Sequence, residues 1–397
     1  MIRRAVALAG AFAGCLAVPS VAPPAAWGAP ASEVKVGMIT TLSGQGASLG
    51  VDIRDGFALA VTEMGGRLGG LPARIIEGDD QQKPDVAKQV ADRMVGRDGI
   101  DVATGTVWSN LALSLIPGFE RAKVTFISPN AGPSQLAGRQ CSRYFFNAAF
   151  QNDGPHEAMG QYLRDQGVGR VYLLAPNYPA GKDALAGFKR LYQGEIVGEV
   201  YTAFGQLDYA PDIAQIRAAR PDAVYVFYPG GMGINFVKQF AQAGLKSEIP
   251  LYGAAFTLSE EILPAMGDAA LGLKSAAHWS PDLDTPANRA FTTAFEAAYG
   301  RPPSLYAAQG YDTARLVDAA VRQVGGELSD REAFSRAFAG AAFTSIRPDF
   351  AFNHNHFPVQ SYYLREVVRD AKGRLVNALR GTILARHGDA YAGDCPL

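Results

Sequence analysis

The sequence predicts an α/β protein made of two lobes, each a doubly wound parallel sheet with helices on both faces. Apolar, β-branched segments alternate with segments of helical periodicity from residue 34 onward, which is the pattern of a parallel sheet. The alternation starts again near residue 170 with a second set of similar size. No low-complexity linker separates the two sets, so we expect several chain crossings between the lobes.

The first set begins with an apolar strand, VKVGMITT, followed by a glycine-rich loop and a helix with one apolar face. A Lys-Pro-Asp sequence then predicts another helix start, because Pro and Asp are favoured in a first turn. The predicted strands are 34–41, 73–77, 101–104, 124–127 and 143–146, and the predicted helices are 52–63, one opening at 83–85, 108–120 and 153–165.

The second set repeats the order of elements without repeating the sequence. Its predicted strands are 170–175, 195–203, 223–228 and 249–252, and its predicted helices are 180–192, 211–219, 233–243 and 259–266. After it, the pattern predicts a strand at 273–279 leading back toward the first lobe, helices at 286–299 and 304–324, and an antiparallel pair at 359–368 and 374–379.

Two polar turns rich in small residues follow neighbouring strands of the first set. They are GTVWSN at 105–110 and SPNAGP at 128–133. In an open parallel sheet such turns fall at the carboxyl ends of the strands, where ligands bind. The first turn also opens a helix, whose free N–H groups favour an anion. The sequence therefore predicts that these turns hold the carboxylate of a small molecule.

Residues 1–31 have the features of an export signal. A positive start (RR) precedes a short apolar run at 5–18, and Ala-Pro-Ala at 29–31 fits a cleavage site. The alternative is a lipoprotein box, FAGC, ending at Cys15. No later segment offers the roughly twenty unbroken apolar residues of a spanning helix. We expect a soluble periplasmic protein, tethered only by lipid if Cys15 is modified.

The net charge limits the kinds of partner that the protein can bind, and the cysteine content predicts a disulfide. The formal net charge is −1, and removal of the leader takes away two arginines and no acid. This balance argues against a nucleic-acid partner or a polybasic membrane contact. Two cysteines remain, Cys141 and Cys395, and an isolated pair in an oxidising compartment most simply forms a disulfide. The alternative is two free buried thiols.

The hydrolase class is the main enzymatic alternative. GASLG at 46–50 matches the G-x-S-x-G elbow, with Ser48 as nucleophile and His278 or His387 as base. An elbow must follow its strand at once, whereas a loop intervenes here. Other motifs predict no cofactor or metal, since no phosphate loop is present and the pair His354 and His356 lacks a third ligand nearby.

Five aromatic residues lie just after predicted strands or near predicted helix starts, where burial in the core is less expected. Their shared position predicts an aromatic shell around the ligand, and the alternative for each one is ordinary packing. The residues are Trp108, Tyr178, Tyr228, Phe256 and Tyr311.

Four segments together resemble the type I periplasmic solute-binding proteins of branched-chain amino acid ABC transporters. They are VKVGMITTLSGQGASLG, FISPNAGPSQL, LLAPNYPAGKDALAGFK and AQGYDTARLVDAA, and the resemblance covers the whole mature chain. It implies two lobes joined by three crossovers, with a ligand cleft between them. It also implies a non-enzymatic monomer that delivers ligand to an ABC permease. The expected lobes are 32–149 plus 278–356, and 150–277 plus 357–397.

The resemblance also assigns candidate site residues. The family's carboxylate-binding turns match Ser109 and the sequence Asn130, Ala131 and Gly132. Its aromatic contact from the second lobe matches Tyr178, and its second-lobe turn matches Tyr228-Pro229-Gly230.

Amino-acid binders of the family place an acid after the strand that corresponds to 251–253. This sequence has Ala254-Ala255-Phe256 there, and a buried ammonium without a counter-charge costs several kcal/mol. SPNAGPSQLAG followed by Cys141 is similar to the subgroup that binds benzoates and hydroxycinnamates. The expected ligand is therefore a small aromatic carboxylate. A branched-chain amino acid remains the alternative within the family, and a sensor domain remains an alternative role.

Overall fold

The structure is a computed structural model that describes residues 1–2 and 31–397. Residues 3–30 of the predicted leader, including Cys15, lie outside the described residues. Within the described part, no helix combines the length and the apolarity of a membrane crossing.

The strands form two separate sheets, one in each half of the α/β pattern. The first sheet has the order β2-β3-β1-β4-β5-β6. The second has the order β12-β13-β11-β10-β9-β7-β8, with β14 beside β13. The strands are β1 (Val34–Thr40), β2 (Arg67–Leu68), β3 (Leu71–Asp79), β4 (Val102–Thr104), β5 (Thr125–Ser128), β6 (Phe145–Asn147), β7 (Arg170–Pro176), β8 (Glu195–Thr202), β9 (Ala223–Val226), β10 (Leu251–Ala254), β11 (Lys274–Ala277), β12 (Ala351–Phe352), β13 (Pro358–Arg369) and β14 (Leu375–His387).

Helices cover the sheets, as the alternating pattern predicts. They are α1 (Ala47–Glu63), α2 (Pro84–Arg93), α3 (Ser109–Ala122), α4 (Ser134–Ala137), α5 (Gly154–Asp165), α6 (Pro179–Leu191), α7 (Ala210–Ala219), α8 (Gly231–Gln242), α9 (Leu263–Met266), α10 (Pro286–Tyr299), α11 (Leu305–Gln323) and α12 (Arg331–Ala339).

Parallel pairing in both sheets brings the turns after the strands to one edge. In the first sheet, β1 pairs in parallel with β3 and β4, and β5 pairs in parallel with β4 and β6. In the second, β7 to β11 pair in parallel, whereas β13 and β14 are antiparallel. β11 lies inside this second sheet, and the chain returns to the first lobe only after it. The α/β, two-lobed fold class is thus confirmed.

Within residues 31–397, the chain passes from one sheet to the other three times, at residues 148–153, 278–285 and 340–357. After the second passage, α11 packs on α1 so closely that a Cβ on Gly56 would lie 1.9 Å from the carbonyl oxygen of Ala307. α10 and α11 therefore belong with the first sheet, although they follow β11 in sequence. The residue-level lobe boundaries given above remain a proposal.

Arg347 ties these passages together. It is buried, and its guanidinium pairs with Asp312 on α11 at 3.0 Å. The same group donates to the carbonyl oxygens of Ala148 at 2.5 Å and Ala149 at 2.9 Å in the first passage. A buried cation with an ion pair and several acceptors holds its neighbours in one arrangement. The connection between the lobes is therefore well defined in structure.

The predicted disulfide is present. Cys141, in the loop before β6, bonds to Cys395 at the end of the chain, 254 positions away. The segment after β14 is also held by Tyr391, whose hydroxyl donates to Asp153 at 2.8 Å and accepts from Arg190 at 3.1 Å. The C-terminal segment thus runs from the second sheet to a covalent bond with the first lobe.

Candidate functional site

A narrow cavity lies between the lobes, at the carboxyl ends of strands from both sheets. The space not filled by atoms is about 300 Å³, of which about 20 Å³ admits the centre of a water molecule. A ring can therefore enter only if the lobes or their side chains move apart. We call it the inner cavity. Its walls are Val107, Trp108, Ser109, Asn130, Phe150, Asn152, Tyr178, Ala180, Phe227, Pro229, Phe256 and Tyr306.

Two helix N-termini meet at this cavity, one from each lobe. α3 begins at Ser109 and α6 begins after Tyr178, with Ala180 in its first turn. The first N–H groups of a helix have no partner within it, and no side chain caps either helix here. Both helix dipoles present their positive ends to the same small space, which favours an anion.

Asn152 connects Ser109 to the opposite lobe. Its amide nitrogen donates to the hydroxyl oxygen of Ser109 at 3.1 Å and to the carboxylate of Asp183 at 2.8 Å. That carboxylate also accepts from the backbone N–H of Ser134 at 3.0 Å and from its hydroxyl at 2.7 Å. Ser109 accepts this bond, and its hydroxyl hydrogen has no acceptor among the described residues, so it can donate to a ligand.

Asn130 forms another polar wall of the cavity. Its amide nitrogen donates to the carbonyl oxygen of Val107 at 2.7 Å, which fixes the orientation of the side chain. Its amide oxygen has no hydrogen-bond partner among the described residues. An unpaired buried acceptor costs about 1–3 kcal/mol, so this oxygen favours a ligand or water that donates to it.

Aromatic rings form the rest of the cavity wall. Trp108 is fixed by a bond from its indole nitrogen to the hydroxyl of Thr41 at 2.9 Å. Its ring lies 6.2 Å from that of Tyr178 across the cleft. On the other side, Phe256 lies 4.9 Å from Phe150. These walls match a flat, apolar ligand body.

Burial keeps the two tyrosine hydroxyls of the wall protonated. It raises the pKa of Tyr178 above its usual value, with a smaller contribution from the charge of Asp183. Burial likewise raises the pKa of Tyr306 well above its usual value. Among the described residues that line the cavity, none carries a charged side chain. A carboxylate would thus meet neutral donors, and an ammonium would meet no charged side chain in the cavity wall, because the Asp183 carboxylate lies behind Asn152.

The structure brings together five of the predicted site residues. Trp108, Ser109, Asn130, Tyr178 and Phe256 all line the inner cavity. It also adds seven lining residues beyond the predicted contacts, of which Val107 and Pro229 lie in predicted turns and the other five were missed. The seven are Val107, Phe150, Asn152, Ala180, Phe227, Pro229 and Tyr306.

Ala131 and Gly132 lie beside the cavity but do not line it. The backbone N–H of Ala131 bonds to Thr106 at 3.4 Å, and that of Gly132 bonds to the side chain of Asn152 at 3.1 Å. Their N–H groups therefore serve the protein, although the sequence analysis offered them to a carboxylate. Gly132 is required for space, since a Cβ there would lie 2.2 Å from the carbonyl oxygen of Phe150.

Gly230 also lies outside the lining, at a contact between the lobes. A Cβ at Gly230 would lie 3.0 Å from the carbonyl oxygen of Gln45, and its φ of +63° suits glycine. The next residue, Gly231, donates its N–H to the same oxygen at 3.3 Å. This turn therefore helps to join the lobes beside the cavity.

Two predicted aromatic residues face elsewhere. Tyr228 is fully buried in the second lobe, with its ring 5.0 Å from Tyr209. Tyr311 packs 4.7 Å from Phe291 and donates to Glu63 at 2.5 Å, on the far side of α11. Neither ring reaches the inner cavity, so we leave both out of the proposed ligand shell.

The residues of the hydrolase alternative are not assembled. Ser48 lies in the first turn of α1 and makes no hydrogen bond to either candidate base in the described structure. His278 is buried beside Gln309, and His387 bonds to Glu157 at 2.5 Å. His356 stacks on Phe146, and the described residues contain no group of three ligands suited to a metal ion.

The family model for periplasmic binding proteins matches residues 33–373. The chain belongs to the periplasmic binding protein family. A solute-binding protein of an ABC transporter from R. palustris, solved in complex with benzoate, is 33% identical with a TM-score of 0.86 and covers 92% of this chain and 100% of its own. A second, from Rhodopseudomonas palustris BisB5 in complex with 3,4-dihydroxybenzoic acid, is 31% identical with a TM-score of 0.84 and covers 90% and 99%.

A curated relative carries a different ligand in its name. The Leu/Ile/Val-binding protein homolog 6 of Brucella melitensis is 27% identical over 371 residues, covering 91% of this chain and 94% of its own. The resemblance to type I periplasmic solute-binding proteins is thus confirmed. The names of these similar proteins state two kinds of ligand, namely aromatic acids and aliphatic amino acids.

Proposed function

We propose that this periplasmic binding protein is the solute-binding component of an ABC importer and binds a small aromatic carboxylate in the inner cavity. One observation carries the proposal: aromatic walls surround two helix N-termini in a cavity without a charged lining residue. The carboxylate would accept from the first N–H groups of α3 and from the hydroxyl of Ser109. The ring would lie among Trp108, Tyr178 and Phe256.

The same cavity argues against the amino acid of the Brucella relative's name. The ammonium of leucine needs a carboxylate partner, and Ala254, Ala255 and Phe256 occupy the place where the family's amino-acid binders carry one. Support for an aromatic acid also comes from the two R. palustris proteins, which were solved with benzoate and with 3,4-dihydroxybenzoic acid. The protein would bind without chemical change and pass its ligand to a membrane permease.

A thermal-shift panel tests the ligand class. It should contain benzoate, 4-hydroxybenzoate, coumarate, leucine and acetate. A ligand at about a hundred times its dissociation constant stabilises the folded protein by about 2.7 kcal/mol. We expect at least one aromatic acid to raise the melting temperature and leucine to leave it unchanged. A shift with leucine and none with any aromatic acid would replace this proposal with an amino-acid binder.

A matched pair of variants locates the site. Ser109→Ala removes the hydroxyl donor at the cavity, whereas Ser114→Ala removes a hydroxyl on the same helix that bonds to the carbonyl oxygen of Leu111. We expect Ser109→Ala to weaken the aromatic acid by about tenfold or more, since a hydrogen bond to a charged group contributes about 1.5–3 kcal/mol. Ser114→Ala should bind as the wild type does. Equal effects of the two changes would place the ligand elsewhere.

A further inference from the structure

A second cavity adjoins the inner cavity at Trp108 and Pro229, which belong to the walls of both. The space not filled by atoms there is about 670 Å³, compared with about 300 Å³ in the inner cavity. We call it the outer cavity. Its walls are Gly44, Gln45, Gln82, Trp108, Phe204, Gly205, Pro229, Gly231 and Met232.

Phe204 is a wall of the outer cavity that contacts two rings of the inner cavity. It follows β8 in the second lobe and is half-buried, and its ring lines the outer cavity. The ring lies 5.2 Å from that of Trp108 in the first lobe, at an interplanar angle of 87°. It also lies 4.9 Å from the ring of Tyr178. Phe204 therefore packs against two walls of the inner cavity and spans the cleft between the lobes.

The two rings that Phe204 contacts are also positioned by contacts that do not involve Phe204. The indole of Trp108 bonds to Thr41 at 2.9 Å, and a Cβ on Gly46 would lie 2.5 Å from its ring. Tyr178 is the residue before the first turn of α6. The loop of Phe204 is held by the N–H of Gly205, 3.3 Å from the sulfur of Met232. We therefore expect removal of the Phe204 ring to open a passage while Trp108 keeps its bond to Thr41.

The walls of the outer cavity suit an uncharged part of a ligand. Its described lining contains the amides of Gln45 and Gln82 and the backbone of three glycines, but no charged side chain. An apolar or weakly polar second ring is compatible with such walls, whereas a second carboxylate would meet no cation there.

We propose that Phe204 is the partition between the inner and outer cavities and sets the upper size limit of the ligand. With Phe204 in place, the protein accepts acids with one ring; without it, the two cavities join and a second ring fits. The inference rests on the proposed function, because it assumes an aromatic acid in the inner cavity. The proposal gives a role in ligand selection to Phe204, which does not line the inner cavity and is not part of a predicted site motif.

The test compares Phe204→Ala with the wild type by calorimetric titration of benzoate, 3-phenylbenzoate and 4-phenylbenzoate. We expect the affinity for at least one phenylbenzoate, relative to benzoate, to rise at least tenfold in the variant. Benzoate should also dissociate about tenfold faster, because aromatic contacts that hold the lobes together are lost. Phe204→Leu, which keeps more bulk, should fall between the two.

Tyr201→Ala is the matched control, since Tyr201 is an exposed aromatic residue at the end of the same strand. It should keep the wild-type preference. A folded Phe204→Ala or Phe204→Leu variant that keeps the wild-type ratio for both phenylbenzoates would overturn the proposal, and so would an equal change in Tyr201→Ala. Failure of the proposed function gives a different result, because the wild type would then bind none of the three acids.

Discussion

Asp153 offers a test of how burial at the first passage between the lobes controls stability. It immediately precedes α5, and its side chain has no exposed surface. Its carboxylate pairs with Arg190 at 2.7 Å and accepts from Gln151 at 2.9 Å and Tyr391 at 2.8 Å. Even so, burial, and after it the charge of Asp183, raise the pKa of Asp153 from 3.8 to about 7.

The sign of the pH effect follows from that direction. The folded protein holds a proton on Asp153 between about pH 4 and pH 7, where the unfolded chain has released it. The free energy of unfolding therefore falls as the pH rises through this window. From the two pKa values, Asp153 alone removes about 2 kcal/mol between about pH 5.5 and about pH 8.

Two buried histidines act in the opposite direction. Burial lowers the pKa of His156 from 6.5 to about 3, and it lowers that of His278 well below its usual value. Their contribution to stability is lost as the pH falls below about 6.5, because the unfolded chain then takes up the protons. The pH profile of the wild type alone therefore mixes opposing effects.

A difference between variants isolates Asp153. Urea unfolding of the wild type and of Asp153→Asn should be measured at about pH 5.5 and about pH 8. We expect the free energy of unfolding of Asp153→Asn, relative to the wild type, to rise by about 2 kcal/mol at the higher pH. Asp165→Asn, at an exposed acid on the same helix, should show no such change.

One result would refute this reasoning. If the difference between Asp153→Asn and the wild type does not change with pH, the carboxylate is already ionised at the lower pH. Arg190, Gln151 and Tyr391 would then outweigh the penalty of burial and the repulsion from Asp183. The matched exposed acid shows whether any change is specific to the buried site.

Two further predictions concern the disulfide and the fixed position of Trp108. Reduction of the bond between Cys141 and Cys395 should lower the free energy of unfolding by up to about 5 kcal/mol on the chain-entropy estimate; an unchanged melting temperature with reductant would contradict it. Gly46→Ala should displace Trp108, because the new Cβ would lie 2.5 Å from its ring, and weaken an aromatic acid by about tenfold. Gly96→Ala, with open space at its Cβ, is its control in the same titration, and equal affinities would count against a fixed Trp108.

The site residues that were predicted correctly are those that lie just beyond the ends of strands. Trp108, Ser109 and Tyr178 lie where a short turn after a strand leads into a helix, and a parallel sheet brings such positions to one edge. Asn152 and Phe150 lie instead in a passage between the lobes, which has no periodicity to reveal which side chains point inward. A segment without a repeat leaves the direction of its side chains to the tertiary fold.

The two tyrosines of α11 show a second limit. Tyr306 and Tyr311 lie five positions apart, or about 140° around a helix, so they face different sides. The sequence predicts Tyr311 as the ligand contact, whereas Tyr306 lines the cavity. Both faces of α11 are largely buried, so apolar periodicity does not indicate which side meets the ligand. Only the packing of α11 on α1 decides between them.

The end of the chain was predicted least well. α12 was missed, although Asp330 caps it by accepting from the N–H of Ala333 at 3.0 Å. An Asp before a short segment with apolar residues is a typical helix start, so Asp330 could have indicated this helix. The final antiparallel pair was predicted, but its second strand was predicted to end at residue 379, whereas β14 continues to His387. The prediction stopped early because the irregular pairing near Gly381 interrupts the alternation of apolar and polar residues in this edge strand.

The polar contacts of the inner cavity suggest why ligand capture and lobe closure would be one event. Asn152 uses one amide hydrogen on Ser109 and the other on Asp183, which in turn accepts from Ser134 in the opposite lobe. A ligand carboxylate that accepts from the Ser109 hydroxyl would polarise that oxygen and strengthen the bond from Asn152. The ligand would thus interact more strongly with the arrangement in which the lobes are joined, which is the differential affinity that shifts a population toward closure. The carboxylate in this chain, that of Asp183, already accepts bonds from Asn152 and Ser134 and does not line the cavity, so the contacts that join the lobes also favour an acid without an ammonium.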